Sequence, residues 1–175
     1  MFINDKWERP EGGGGLSKVI QNGAVFEKGG VNFSHVHGVL PEVLKSEVRT
    51  AQYFHATGVS IVIHPQNPFV PIIHMNVRYF CMSATEEGEI TDEWFGGGID
   101  MSPAYPNKTD TLHLHKTLKT VCDTYDAAFY PKFKNWCDEY FTIKHRNEMR
   151  GVGGIFFDHL RPKSESEKQH LFSFL

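Results

Sequence analysis

Hydrophobic and polar residues change rhythm once along this chain. Before the turn-rich residues 101–106 they alternate in short runs, as strands require. From Asp110 to about residue 150 apolar residues recur every three or four positions, as helices require. Apolar runs at residues 17–20 and 24–28 flank Gln21-Asn22-Gly23, and Asn-Gly in that setting predicts a hairpin. Gly29-Gly30 predicts a second turn into residues 31–37, so the first forty residues read as a meander of three antiparallel strands. Pro41 is placed to open a short helix over residues 41–56. Residues 58–64 and 72–82 read as two strands joined by a Pro-rich loop, and residues 85–92 as an acidic loop. Residues 94–100 read as an aromatic strand broken by three glycines, which suggests backbone packed closely against a neighbour.

In the second part, Leu114, Leu118, Val121, Cys122, Tyr125, Ala128 and Phe129 fall within roughly 120° of a helical wheel, with Asp110 as the predicted N-cap. Pro131 opens a second helix with the stripe Phe133, Trp136, Cys137, Tyr140 and Phe141. That helix is predicted to end near residues 145–150, where Gly151 stops it. Residues 152–158 form a further strand. Residues 1–160 read as one domain, and 161–175 as a linker and the start of a helix. Strands, then helices, then a strand predict an α+β fold in which helices cover an antiparallel sheet.

Composition narrows the function classes. A chain of 175 residues suits one domain with a sizeable core. With 40% hydrophobic and 22% charged residues it matches a soluble globular protein. A net charge of −3 provides no basic field for nucleic acid. No apolar run approaches the roughly 20 residues of a membrane span. The first residues lack the apolar core of a signal peptide, which points to the cytoplasm. Cys81, Cys122 and Cys137 are odd in number and include no Cys-x-x-Cys, so they read as reduced thiols. Gly12 to Gly15 lack the Gly-Lys-Ser/Thr ending of a phosphate loop and read as a close-approach loop instead.

The candidate chemistry concentrates between Ser60 and Arg78. Ser60, Val62 and His64 share one strand face, and His74, Asn76 and Arg78 share another. Two His, a Ser, an Asn and an Arg on strand faces suit the wall of a pocket for an anionic ligand. Arg78 is the natural partner of a substrate carboxylate, because guanidinium pairs with it in bidentate fashion. A salt bridge to an acid such as Glu27 is its structural alternative. Asp100, beside bare glycine backbone, suits an N–H group or an Asx-turn cap. On the wheel His115 sits beside Cys122 at the edge of the apolar stripe, and His113 lies on the polar face. His145, with Arg146 and Arg150, fits a basic cluster complementing a helix C-terminus. His35 and His37 share a strand face like a metal pair, with no carboxylate nearby in sequence. A His-ligated metal oxygenase or hydrolase, and a carboxylate-binding domain without catalysis, both accommodate these residues.

Several ordered stretches resemble the oxygen-dependent coproporphyrinogen-III oxidase family. They include Gly12 to Gly15, Val25-Phe-Glu-Lys-Gly-Gly-Val-Asn-Phe-Ser34, His74-x-Asn-Val-Arg78, Trp94-Phe-Gly-Gly-Gly98 with Asp100, His145-Arg146 and Arg150-Gly-x-Gly-Gly-Ile-Phe-Phe-Asp158. The resemblance implies a large antiparallel sheet flanked by helices on both faces, in a homodimer. It implies oxidative decarboxylation of two propionates of coproporphyrinogen III to vinyl groups in haem biosynthesis. Protoporphyrinogen IX, CO₂ and hydrogen peroxide are the products, O₂ is the acceptor, and no organic cofactor takes part. It implies His74 as general acid/base and Ser60, Asn76, Val77 and Arg78 as substrate contacts. Asp100 would hold the pyrrole N–H groups, and His64, His74, His115 and His145 would be ligands of a metal proposed for some members. Glu93 stands where the family has a second Trp, and Ile73 where a small hydroxyl residue is common. The family pattern continues beyond Leu175 through further sheet and the main dimer contact. The chain is therefore expected to hold the N-terminal portion of the fold, with its C-terminal part missing and turnover weak or absent.

Overall fold

Six strands zigzag through the first hundred residues of the computed structural model, which describes residues 2–41 and 51–175. They are β1 (Ile3–Glu8), β2 (Gly13–Gln21), β3 (Phe26–Val39), β4 (Tyr53–Pro65), β5 (Ile72–Ser83) and β6 (Ile90–Ser102). Each pairs antiparallel with the one before it. The chain then runs through helix α1 (Lys108–Tyr125) and helix α2 (Phe129–Phe141). A small hairpin follows, β7 (Thr142–Ile143) and β8 (Glu148–Met149), with a 3₁₀ turn at Lys144–Arg146. Strand β9 (Gly154–Leu160) then pairs antiparallel with β6, which completes a seven-stranded sheet in the order β1-β2-β3-β4-β5-β6-β9. Helix α3 (Glu165–Phe174) closes the described chain. The class is α+β, as the strand and helix periods predict.

The helices gather at the β9 end. Phe133 of α2 packs on Phe157 with ring centroids 5.0 Å apart, and Tyr140 of α2 stacks on Phe156 at 4.3 Å. Phe156 and Phe157 are adjacent in β9 and so point to opposite faces of the sheet. Helix α2 therefore straddles the free β9 edge and touches both faces. On one face, Cys122 of α1, Phe133, Ile155 and Phe157 form a buried cluster joined by Phe174 of α3. On the other, Leu40, Ala51 and Met82 are buried beneath Phe54, Phe80 and Trp94. Aromatic side chains bury roughly 150–250 Å² each when fully packed, so these clusters contribute strongly to stability.

Residues 161–175, expected as a linker and a helix start, are tied into the packing. Arg161 pairs with Asp92 through Nε at 2.9 Å and Nη2 at 3.0 Å. Ser164 caps α3 by accepting from the Glu167 N–H. Lys168 Nζ lies 2.6 Å from Glu93 Oε2, which also takes the Tyr79 hydroxyl.

Several sequence expectations shift. Strand β1 was not predicted. Residues 13–15 are strand rather than loop, because the glycines there leave room for the Trp7 ring: a Cβ on Gly15 would stand 2.4 Å from it. Gly29 and Gly30 make no turn; they pair within β3, where cross-strand hydrogen bonding holds glycine extended. Of the helix expected over 41–56, residues 42–50 lie outside the described residues, and from Tyr53 the chain is already β4. Asn107, not Asp110, caps α1, accepting from the N–H groups of Thr109 and Asp110. Helix α2 ends at Phe141 rather than near residue 150. Thr142 is extended and Asn147 takes a left-handed turn at φ 49°, which forms the small hairpin.

Candidate functional site

Antiparallel register assembles the site from residues far apart in sequence. Ser60 of β4 lies opposite Asn76 of β5, which lies opposite Gly98 of β6, which lies opposite Phe156 of β9. The next row runs Val62, His74, Asp100, Gly154. The row on the other side runs Gly58, Arg78, Gly96. Residues directly opposite project from the same face, so the two strand faces read from the sequence merge into one. Tyr140, Phe141 and Arg150 wall this face, leaving a cleft of about 230 Å³. Val77 points to the other face, so only its backbone reaches the cleft.

The glycines of β6 make the floor. A Cβ on Gly96 would meet Arg78 Nε at 2.7 Å and Asp158 Oδ1 at 2.6 Å. Without it, the Arg78 guanidinium crosses β6 and donates from Nη2 to Asp158 Oδ2 at 2.7 Å and from Nη1 to Asn76 Oδ1 at 3.1 Å. The structural partner of Arg78 is thus Asp158, not Glu27. Glu27 sits at the far end of β3, out of register with Arg78.

Asp100 is buried, with 2% of its surface exposed. Its Oδ1 accepts from Arg150 Nη2 at 2.8 Å, while its Oδ2 lies 3.4 Å from His74 Nδ1 without a hydrogen bond. Asp100 Oδ2, His74 Nδ1 and Arg150 Nε have no hydrogen-bond partner among the described residues. Burying a carboxylate oxygen without a partner costs on the order of 1–3 kcal/mol. Asp100 lines the cleft, and an unpartnered carboxylate oxygen at such a wall invites an N–H donor from a ligand. Asp100 is no Asx-turn cap; it sits within β6.

Arg150 is the residue that sequence periodicity missed. It reads as part of a basic helix end, yet the hairpin swings it back over the sheet. The Phe141 ring centroid lies 3.9 Å from its guanidinium carbon, and the Arg150 backbone N–H donates to Phe141 O at 3.2 Å. Gly151 follows at φ 66°, where a side chain would stand 2.2 Å from Met101 O. The motif Arg150-Gly-x-Gly-Gly was the available signal: glycines at that density mark backbone that must pass close to β6. Asp158 and Phe156 escaped notice because their role depends on β9 pairing with β6.

The four histidines proposed as metal ligands do not come together. The rings of His64 and His74 are 6.3 Å apart on the cleft face. Burial, with Lys28 and His74 nearby, pushes the His64 imidazole below its ordinary value. His115, correctly expected to point inward rather than outward like exposed His113, has both ring nitrogens committed. Its Nε2 donates to Val152 O at 3.0 Å and its Nδ1 accepts from the Tyr130 hydroxyl at 3.1 Å. It therefore pins the 150–153 turn. His145 is exposed on the 3₁₀ turn. Among the described residues, no three His, Cys, Asp or Glu side chains, in the conformations they adopt here, could hold a metal ion.

Glu93, opposite Cys81, and Ile73, opposite Met101, both lie on the face away from the cleft. Neither departure from the family pattern reaches the site. All three thiols are free and buried. Burial pushes the Cys137 thiol up to about 12, with Asp100 and Asp138 adding to the shift, and Cys122 up to about 11, with Asp123 adding.

Comparison with known proteins agrees with this geometry. The model of the family described as "Coproporphyrinogen III oxidase" matches residues 1–175. The chain is 54% identical over 166 residues to an oxygen-dependent coproporphyrinogen-III oxidase of Drosophila melanogaster, covering 90% of this chain and 42% of that protein. It is 51% identical over 175 residues to the enzyme of that name from Francisella tularensis subsp. holarctica (strain OSU18), covering 95% of this chain and 56% of the relative. It is 51% identical over 162 residues to that from Prochlorococcus marinus (strain NATL1A), covering 90% and 44%. The chain thus spans about half the length of the curated relatives it matches. With the match running over its whole length, the chain belongs to the coproporphyrinogen III oxidase family.

Proposed function

We propose that this chain carries the porphyrinogen-binding and proton-transfer half of an oxygen-dependent coproporphyrinogen-III oxidase of haem biosynthesis, and that the enzyme works as a homodimer in the cytoplasm. The observation that carries this reading is the buried Asp100 carboxylate, which lines the cleft and is held on one oxygen by Arg150 and left without a hydrogen-bond partner on the other. A porphyrinogen presents pyrrole N–H groups, the donors that Oδ2 lacks. Its propionates require cations, and Arg78 and Arg150 flank the same floor. The cleft of about 230 Å³ is smaller than typical whole-ligand pockets of roughly 300–1,000 Å³. It fits one pyrrole with its substituents, the rest of the macrocycle lying across the open sheet face.

In each cycle one propionate loses CO₂ from its carboxylate and two electrons with a hydrogen from the carbon next to the ring. O₂ takes the two electrons and two protons, one of them the hydrogen lost from that carbon and the other from the surroundings, and leaves as hydrogen peroxide; a vinyl group remains. Decarboxylation discharges an anion, so the enzyme has to place that carboxylate and manage protons at the ring edge. Arg78, steadied by Asp158 and Asn76, is placed for the carboxylate, with Ser60 and the Val77 backbone beside it. His74, on the row of Asp100, is placed to move the proton. Asp100 holds the pyrrole, where positive charge develops as electrons leave, and a fixed carboxylate stabilises that charge without reorganisation. The four proposed metal ligands do not fit a shared ion.

Since the chain spans about half its relatives' length, binding without turnover is the second reading. The test is anaerobic binding of coproporphyrinogen III followed by admission of O₂ and analysis for vinyl products, with this chain and with a longer protein containing it. Vinyl product from either supports the oxidase; binding without product from both supports the second reading; no binding by either rejects the site.

A further inference from the structure

The face of the sheet opposite the cleft carries a second histidine cluster. His35 and His37 lie two apart on β3, and His55 of β4 stands directly opposite His37. The three rings project together. Their centroids are 5.8 Å apart for His35 and His37, 6.0 Å for His35 and His55, and 5.3 Å for His37 and His55. Gly12 clears the space beside His37, since a Cβ there would stand 2.9 Å from its ring. His35 also lines a cleft with Glu8, because side-chain-free Gly14 is the residue between them across β2. The carboxylate not visible in sequence is therefore on the same face, 3.6 Å from Lys6 Nζ.

We propose that His35, His37 and His55 form a binding site for a first-row divalent cation of the zinc type, separate from the porphyrinogen cleft. Three imidazoles bound to one tetrahedral ion at about 2.1 Å place their ring centroids about 5 Å apart, and the observed separations lie within about 1 Å of that. Two His at i and i+2 with a third on the neighbouring strand is an arrangement that strands supply directly, because same-face positions recur every second residue. As placed, the His37 and His55 rings are stacked at 21°, and the three side chains do not converge on a metal position. Turning the rings about χ2, a broad two-fold torsion, brings a nitrogen of each inward. Three protein nitrogens leave the fourth position to water, and exposed His35 stands on its solvent side.

The test is calorimetric titration of the chelator-treated chain with Zn²⁺, and with Co²⁺ followed by visible absorption as a reporter of tetrahedral geometry. One equivalent is expected to bind. His37→Ala and His55→Ala are expected to weaken it about tenfold or more, since even partners that only orient a ligand are worth that much. His113→Ala, on the exposed face of α1, and His64→Ala, in the cleft, are expected to leave it unchanged. Circular dichroism checks that each variant folds, and His35→Asn replaces any that does not. No saturable binding, binding that survives the triad variants, or equal loss in His64→Ala or His113→Ala would overturn the proposal.

Discussion

Arg150 Nη2 donates to Asp100 Oδ1 over 2.8 Å, joining two residues that stand 50 positions apart in the chain. The small hairpin and the glycine turn exist in a form that makes this contact possible. Asp100 is buried and Arg150 is 41% exposed. Breaking a fully buried pair costs about 3–5 kcal/mol and an exposed pair is worth about 0–1 kcal/mol; with one partner in contact with water this pair lies between them, at about 1–3 kcal/mol. Arg150→Ala is expected to lower stability by that amount in urea denaturation. Asp100→Asn in the same background is expected to restore part of it, because the stranded charge is gone. Equal losses that simply add in the double variant would mean that the two residues are not coupled.

Gly96 and Gly98 predict opposite kinds of damage. A Cβ on Gly96 meets the far ends of Arg78 and Asp158, which can swing away. Gly96→Ala should weaken porphyrinogen binding with little change in stability. A Cβ on Gly98 meets Ile155 O at 2.7 Å and the Phe156 Cα at 3.3 Å, which are backbone. Gly98→Ala should cost about 1–3 kcal/mol, as overpacking does. Thermal unfolding beside a binding titration separates the two.

His74 and Arg78 should separate turnover from binding. Losing a hydrogen bond to a charged group costs about 1.5–3 kcal/mol, so Arg78→Ala should weaken coproporphyrinogen III binding by about 10- to 100-fold. Removing a general acid/base typically costs 10²- to 10⁴-fold in rate, and His74→Ala should show about that loss with binding preserved. The measurement is turnover against anaerobic affinity in a protein that converts the substrate. A His74→Ala variant with undiminished turnover would remove His74 from the chemistry.

The buried thiols set an alkaline limit. Cys122 and Cys137 titrate at about 11 and about 12 in the folded chain, against 9.0 when unperturbed, and burial is the main cause. Raised folded values mean that the folded state keeps its protons longer. Their contribution is complete below pH 9 and is lost as pH rises from there towards 11 and 12. Each contributes a slope of up to about 1.4 kcal/mol per pH unit in that window. Cys137→Ala should flatten the alkaline fall in stability measured by urea denaturation. At pH 8 the native thiols should react with a disulfide reagent far more slowly than those of the urea-unfolded chain.

Much of this protein is written locally. Alternation along residues 58–82 determines which side chains of β4 and β5 share a face, and the helical stripe from Leu114 to Phe129 determines that His115 turns inward while His113 meets solvent. The hairpin at Asn22-Gly23 follows from turn chemistry alone. These hold because side-chain direction depends on a residue's own backbone and its nearest neighbours. Other features follow from no local rule. Gly29 and Gly30 look like a turn until β2 and β4 pair with them. Arg150 reads as the end of a helix until the hairpin folds it over Asp100. Asp158 becomes Arg78's partner only because β9 lies beside β6 and Gly96 leaves the space between them open. His115 is drawn away from the metal set by Val152 and Tyr130. Each of these depends on long-range pairing, whose free energy comes from burial and register across the whole sheet. The sequence by itself determined the strand faces and the chemistry they carry; only the tertiary structure decided which of those groups meet.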